Sequence, residues 1–172
     1  VEKGCQVSIA TIPVNAHDAT GFGIMKTNEE HLITSFIEKP SLDQLEDWKS
    51  DTGEKLQSQG RHYLASMGIY IFNRETLIEL IEKNADATDF GKEIIPDALN
   101  NDNNKVGSHI YDGYWTDIGT ISSFFAANLE LTDLVPQFNL FDTVAPIFSR
   151  SRMLPASKVQ GTMLDRVIVS DG

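Results

Sequence analysis

The chain has 172 residues, 14 Lys+Arg against 25 Asp+Glu, and hence a formal net charge of −11. With 41% apolar residues it can bury a real core, which argues against disorder. Such acidity disfavours general nucleic-acid or anionic-membrane binding, and no partner of either kind is expected. The single cysteine, Cys5, excludes an internal disulfide framework and fits a reducing compartment, so a cytoplasmic location is expected. The charge is uneven: residues 1–145 hold 10 Lys+Arg and 23 Asp+Glu, and residues 146–172 hold 4 and 2. The opening Val1-Glu2-Lys3-Gly4 reads as the end of a helix, so the expectation is a segment of something larger.

In chain order, residues 7–14 alternate as a strand, with Pro13 drawing it toward an edge or an end. Residues 22–26 and 33–37 are short apolar runs around Asn28-Glu29-Glu30 and predict a hairpin. Pro40 closes the second run and biases Lys39 toward an extended backbone. Ser41 has N-cap chemistry, and Leu42, Leu45 and Trp48 recur at helical spacing. Residues 49–62 are polar and read as a mobile insertion or linker. Residues 64–72 are the strongest buried-strand signal, and Gly68 at their centre suggests a close backbone approach.

Asn73 is positioned to cap a helix with a stripe of Leu77, Ile78, Leu80 and Ile81. Asp89 opens a short helix, in which Pro96 sits early enough to be tolerated. Residues 106–111 predict a strand, 114–120 a turn-rich segment and 122–131 a helix. Residues 134–155 hold three of the six prolines and read as a linker. After it, Val159, Leu164, Val167 and Val169 are spaced as in a hexapeptide β-solenoid. The alternation of strands and helices up to about residue 132 predicts an α/β domain.

Zinc spacing is absent among His17, His31, His62 and His109, and no P-loop or complete dinucleotide fingerprint occurs. Three local features carry more chemistry. In F-I-E-K-P at residues 36–40, strand alternation would send Glu38 and Lys39 to opposite faces; a Lys held before Pro suits an anion clamp, against the plainer reading of a solvated turn. Asp117, in Y-W-T-D-I-G-T at residues 114–120, suits either a metal carboxylate or an Asx-turn. Ser66 and Tyr70 share one strand face and suit either a sugar site or a satisfied core.

Those features, with F-G-I-M at 22–25, S-M-G-I-Y-I-F at 66–72 and D-F-G-K-E-I-I-P at 89–96, occur together and in order. The set closely resembles bacterial glucose-1-phosphate adenylyltransferase, the ADP-glucose pyrophosphorylase family. The resemblance extends through A-N-L-E-L-T at 127–132 and R-M-L-P-A-S-K at 152–158.

It implies the C-terminal half of a Rossmann-like α/β nucleotidyltransferase domain over residues 1–133. A linker over 134–155 and the start of a left-handed β-helix over 156–172 would follow. The implied reaction makes ADP-glucose and pyrophosphate from ATP and glucose 1-phosphate for glycogen synthesis, with Mg²⁺, in an allosterically regulated homotetramer. The implied catalytic residues are Lys39, on the sugar phosphate, and Asp117, as one of two Mg²⁺ aspartates. Glu38 would hold sugar hydroxyls; Ser66, Tyr70, Asp89 and Phe90 would line the sugar pocket; Gly23 would let the backbone approach the ligand; Trp115 would pack near the sugar. The family's glycine-rich nucleotide loop and second metal aspartate are not in this sequence, so the 172 residues alone are expected to be inactive. Arg150, Arg152 and Lys158 form a candidate effector anion site, against ordinary solvated charges. The rival readings are a dTDP-glucose or GDP-mannose type nucleotidyltransferase and a non-catalytic regulatory subunit of the same family.

Overall fold

A computed structural model describes residues 4–101, 103–148 and 155–169. The chain divides into two compact units, 1–112 and 113–172. In the first unit, β1 (Val7–Val14), β2 (Gly23–Thr27), β3 (Ile33–Glu38), β4 (Tyr63–Phe72) and β5 (Val106–Ile110) form one sheet in the order β3-β2-β4-β1-β5. The β1–β5 pair is parallel and the other pairs are antiparallel. The β2–β3 hairpin forms where the sequence predicts it; in its turn the Asn28 side chain accepts the amides of Glu30 and Leu32. Pro13 is tolerated in an interior strand because its only ladder partner is Leu64, the β5 pairing having ended at Thr11.

Residues directly opposite in an antiparallel pair share a face. The register therefore puts Glu38, Gly23, Phe36, Met25, Leu64, Ser66, Tyr70 and Phe72 on one side of the sheet, with Val7, Ile9 and Thr11. That side carries the core. Ile9, Met25 and Leu64 are fully buried there against Leu80, Ile94, Ile95 and Ala98. Burying one such side chain is worth about 1.5–3 kcal/mol. The covering residues come from α3 (Arg74–Lys83) and α4 (Ile95–Leu99), the latter entered through a π-turn over Phe90–Ile94. On α3 the buried positions are Thr76 and Leu80, while Ile78 and Ile81 are exposed. The buried stripe is thus narrower than the apolar pattern predicts. Asn73 occupies the N-cap position without a side-chain cap bond.

Three further expectations are corrected. Residues 49–62 are folded, not a mobile insertion. Ser50 and Thr52 are buried, Ser50 Oγ donates to the Met25 carbonyl, and Arg61 Nε donates to the Pro13 carbonyl at 2.7 Å. The short α2 (Glu54–Gln57) buries Leu56. Gly68 marks no close approach, since nothing lies within 4 Å of a Cβ added there; its φ of +70° is what requires glycine. The reason is a bulge: Ile9 faces Tyr70 and Thr11 faces Ser66, so Ala10 alone spans Met67, Gly68 and Ile69. Lys39 is not extended either; it takes φ +47° in a bend that ends β3.

In the second unit, α5 (Ile121–Glu130) follows the turn-rich segment as predicted, and a capping box joins Thr120 and Ser123. The Tyr114 hydroxyl donates to Glu130 Oε2, and its ring stacks on Phe138. Burial and the Glu130 carboxylate push the Tyr114 phenol above its ordinary pKa. Residues 155–169 form no strand, and Val159, Leu164, Val167 and Val169 are exposed. The expected solenoid turns are therefore not seen among these described residues. A solenoid rung buries its apolar side only against neighbouring rungs. No described helix is long and apolar enough to cross a membrane.

Candidate functional site

The first unit gathers several predicted site residues at one end of the core-side sheet face. β2 and β3 pair Gly23 with Glu38 in their last register step. The missing side chain at Gly23 creates the space there. A Cβ added to it would sit 2.6 Å from Phe36 Cζ and 2.8 Å from Glu38 Oε2. Gly23 thus makes room for a ring and a carboxylate of its own chain. The family resemblance implies that a ligand also approaches the backbone here.

A second glycine borders the same carboxylate. A Cβ on Gly91 would lie 3.8 Å from Glu38 Oε2, 3.9 Å from Phe36 Cζ and 3.3 Å from Asp89 Oδ1. The first turn of the π-segment therefore lies across the Glu38 end of the hairpin. Asp89 is its N-cap and accepts the Lys92 amide at 2.9 Å through Oδ1. Phe90 stacks on Tyr70 at 6.0 Å between ring centroids and meets Phe72 edge-on at 5.9 Å. Phe90 remains 41% exposed, so this aromatic group is open to a ligand on one side. Aromatic and aliphatic faces beside carboxylates suit a sugar ring, whose C–H faces are apolar and whose hydroxyls donate to carboxylate oxygens.

Lys39 extends the site beyond the strand end. Its amide donates to the Phe22 carbonyl at 3.0 Å, and the next residue, Pro40, is fully buried. These two anchors hold the left-handed backbone that a lysine would otherwise avoid. The turn also breaks the strict strand alternation with Glu38 that the sequence predicts. Ser66 shares the sheet face with Tyr70, but the bulge lies between them; its Oγ accepts the Gly68 amide at 3.3 Å.

The remaining predicted residues fall outside the first unit. Trp115 and Asp117 belong to the second unit. A Cβ on Gly119 would meet Asp117 Oδ2 at 2.9 Å, so that glycine gives the carboxylate room. Lys158 is exposed, and Arg150 and Arg152 lie outside the described residues. Among the described residues, no group of three acidic, His or Cys side chains could hold a metal. The single exposed Asp117 still fits Mg²⁺ as one hard oxygen donor, because that ion commonly takes one or two carboxylates and completes its shell with water and phosphates. Sequence reasoning missed Phe36, Phe72 and Gly91. Phe36 and Phe72 read as ordinary strand apolars, and only the sheet register shows that they border the site.

The first unit is thus a mixed α/β sheet domain with two carboxylates, a partly exposed aromatic face and a lysine at the end of β3 gathered at one end of the sheet. A family model described as nucleotidyl transferase matches residues 1–133. The chain belongs to the nucleotidyl transferase family, whose reaction is nucleotidyl transfer to sugar phosphates.

Proposed function

We propose that the substrate is glucose 1-phosphate, the nucleotide is ATP, and the products are ADP-glucose and pyrophosphate. The observation that carries the sugar half is that Gly23, Glu38 and Tyr70 share one sheet face, with Asp89 and Phe90 on the turn beside it and Lys39 just past the end of β3. In this reading Glu38 and Asp89 accept sugar hydroxyls, the Tyr70–Phe90 pair borders the ring, and Ser66 adds a hydroxyl on that face. The Lys39 ammonium holds the sugar phosphate and offsets its charge. A phosphate oxygen of the sugar attacks the α-phosphorus of ATP, the α–β P–O bond breaks, and pyrophosphate leaves. The nucleophile is already an anion, so positioning and charge compensation suffice without a general base.

Bound Mg²⁺ would supply further charge compensation on the phosphates. Asp117 is the proposed ligand and Trp115 a proposed sugar neighbour; both rest on the family's motif at residues 114–120. The β-helix reading of 156–172, the glycogen role, the allosteric homotetramer, the cytoplasmic location and the anion site at Arg150, Arg152 and Lys158 belong to the same proposal.

A substrate panel on the intact protein tests the reading, with ATP, dTTP and GTP each paired with glucose 1-phosphate and mannose 1-phosphate. ADP-glucose as the favoured product supports it. A preference for dTTP or GTP assigns the chain to a sister activity, and no turnover with any pair favours a regulatory subunit.

A further inference from the structure

The π-turn that carries Asp89 and Phe90 is held by Glu93, whose side chain bonds to the backbone of the turn. One oxygen of Glu93, Oε1, accepts three donors: the Thr88 amide at 2.9 Å, the Asp89 amide at 3.1 Å and the Thr88 hydroxyl at 3.4 Å. In return Asp89 Oδ1 accepts the Lys92 amide, and the Asp89 carbonyl accepts the Glu93 amide at 3.1 Å. This is a reciprocal cap displaced by one residue. In an α-helix the third helical residue reaches back to the N-cap amide. Here Glu93 is the fourth after Asp89, and the wider turn, closed by the Ile95 amide on the Phe90 carbonyl, brings it over the same amide.

We propose that Glu93 is a positioning residue for the sugar pocket. It fixes the backbone of Thr88 and Asp89, and through it the place of Asp89, Phe90 and Gly91 against Glu38. The idea rests on the sugar-site reading above. Three observations carry it. The cap occupies only one Asp89 oxygen; among the described residues Oδ2 has no hydrogen bond. A Cβ added to Gly91 would lie 3.3 Å from Asp89 Oδ1 and 3.8 Å from Glu38 Oε2, so the turn passes close to both acids and a shift of it changes the spacing between them. Glu93 is exposed, so its three bonds are not explained by a need to satisfy a buried charge.

The test is calorimetric titration of glucose 1-phosphate into the 172-residue chain, with thermal melts and amide exchange at Thr88 and Asp89. Glu93→Ala should weaken binding about tenfold, the effect of losing charge-assisted hydrogen bonds that order a binding segment. Glu93→Asp keeps the charge but is one methylene short, and should weaken binding similarly while accelerating exchange at both amides. It decides the question if the alanine variant fails to fold. Glu93→Gln retains the accepting oxygen and should recover binding to within about threefold. Asp89→Asn serves as the control for the underlying reading. Normal binding by the Asp and Ala variants, alongside lost binding in Asp89→Asn, overturns the role of Glu93. No heat from the unaltered chain, or normal binding by Asp89→Asn, overturns the sugar-site reading itself.

Discussion

Gly23→Ala perturbs the point where fold and site meet. The new methyl would lie 2.6 and 2.7 Å from two Phe36 ring carbons and 2.8 Å from Glu38 Oε2. Carbon–carbon contacts are favourable only near 3.5–4.0 Å, so the ring must retreat by about 1 Å. Phe36 packs against the core, so that retreat is resisted. Overpacking of this kind costs about 1–3 kcal/mol. Gly23 has no positive φ, so alanine regains about 0.4–1 kcal/mol through the unfolded chain. The net expectation is a loss of about 1–2 kcal/mol, or a fall in Tm of roughly 2–8 °C for a chain of this size. The Glu38 carboxylate must move as well, so affinity for glucose 1-phosphate should fall about tenfold or more.

Phe36→Leu removes the clashing ring carbons. The double variant Gly23→Ala/Phe36→Leu should therefore lose less stability than the two single losses added together, with a coupling of about 1 kcal/mol. Urea denaturation of the four proteins and titration with glucose 1-phosphate measure both effects. Additive stabilities with unchanged affinity would refute the idea that Gly23 makes room for these two side chains.

Other outcomes follow from the same structure. Gly68→Ala meets no clash but must adopt φ +70°, so it should cost about 1–2 kcal/mol in urea denaturation, and Gly68→Asn less. Ile95→Ala, at a fully buried position, should cost about 2–5 kcal/mol and leave the chain partly unfolded at 37 °C by circular dichroism. Hydrogen bonds from Lys83 and Asn84 hold the Asp97 carboxyl below its ordinary pKa of 3.8. A carboxyl depressed in the folded state contributes stability at neutral pH. That contribution is lost as pH falls below about 4 and through the folded value. Lys83→Met should therefore lower the urea midpoint at pH 7 and make it less sensitive to acid between pH 4 and 2. Lys83 is largely exposed, so the difference should stay within about 1 kcal/mol.

Much of this protein was legible from local pattern. The hairpin of β2 and β3, the long β4, the helix after Asn73, the helix opening at Asp89 and the body of α5 all follow from alternation, turn residues and capping, which act over a few neighbours. The ordered motifs around Gly23, Glu38, Lys39, Tyr70, Asp89 and Phe90 are local too, and the family resemblance they carry is what implies the candidate sugar residues.

What the sequence could not supply was decided by partners distant in the chain. The glycine at 68 is explained by a two-residue excess on β4 opposite Ala10, which only strand register reveals. Residues 49–62 look free because they are polar, yet Arg61 and Ser50 satisfy carbonyls on β1 and β2. The left-handed turn at Lys39 contradicts its local preference and is held by Phe22 and by burial of Pro40. Phe36, Phe72 and Gly91 join the site through pairing and packing that no spacing rule encodes. Composition and short-range pattern, then, determined the α/β class and most of the elements, and the resemblance carried by the ordered motifs supplied the candidate residues. The tertiary structure determined which of them meet, because long-range register and close packing set a side chain's neighbours.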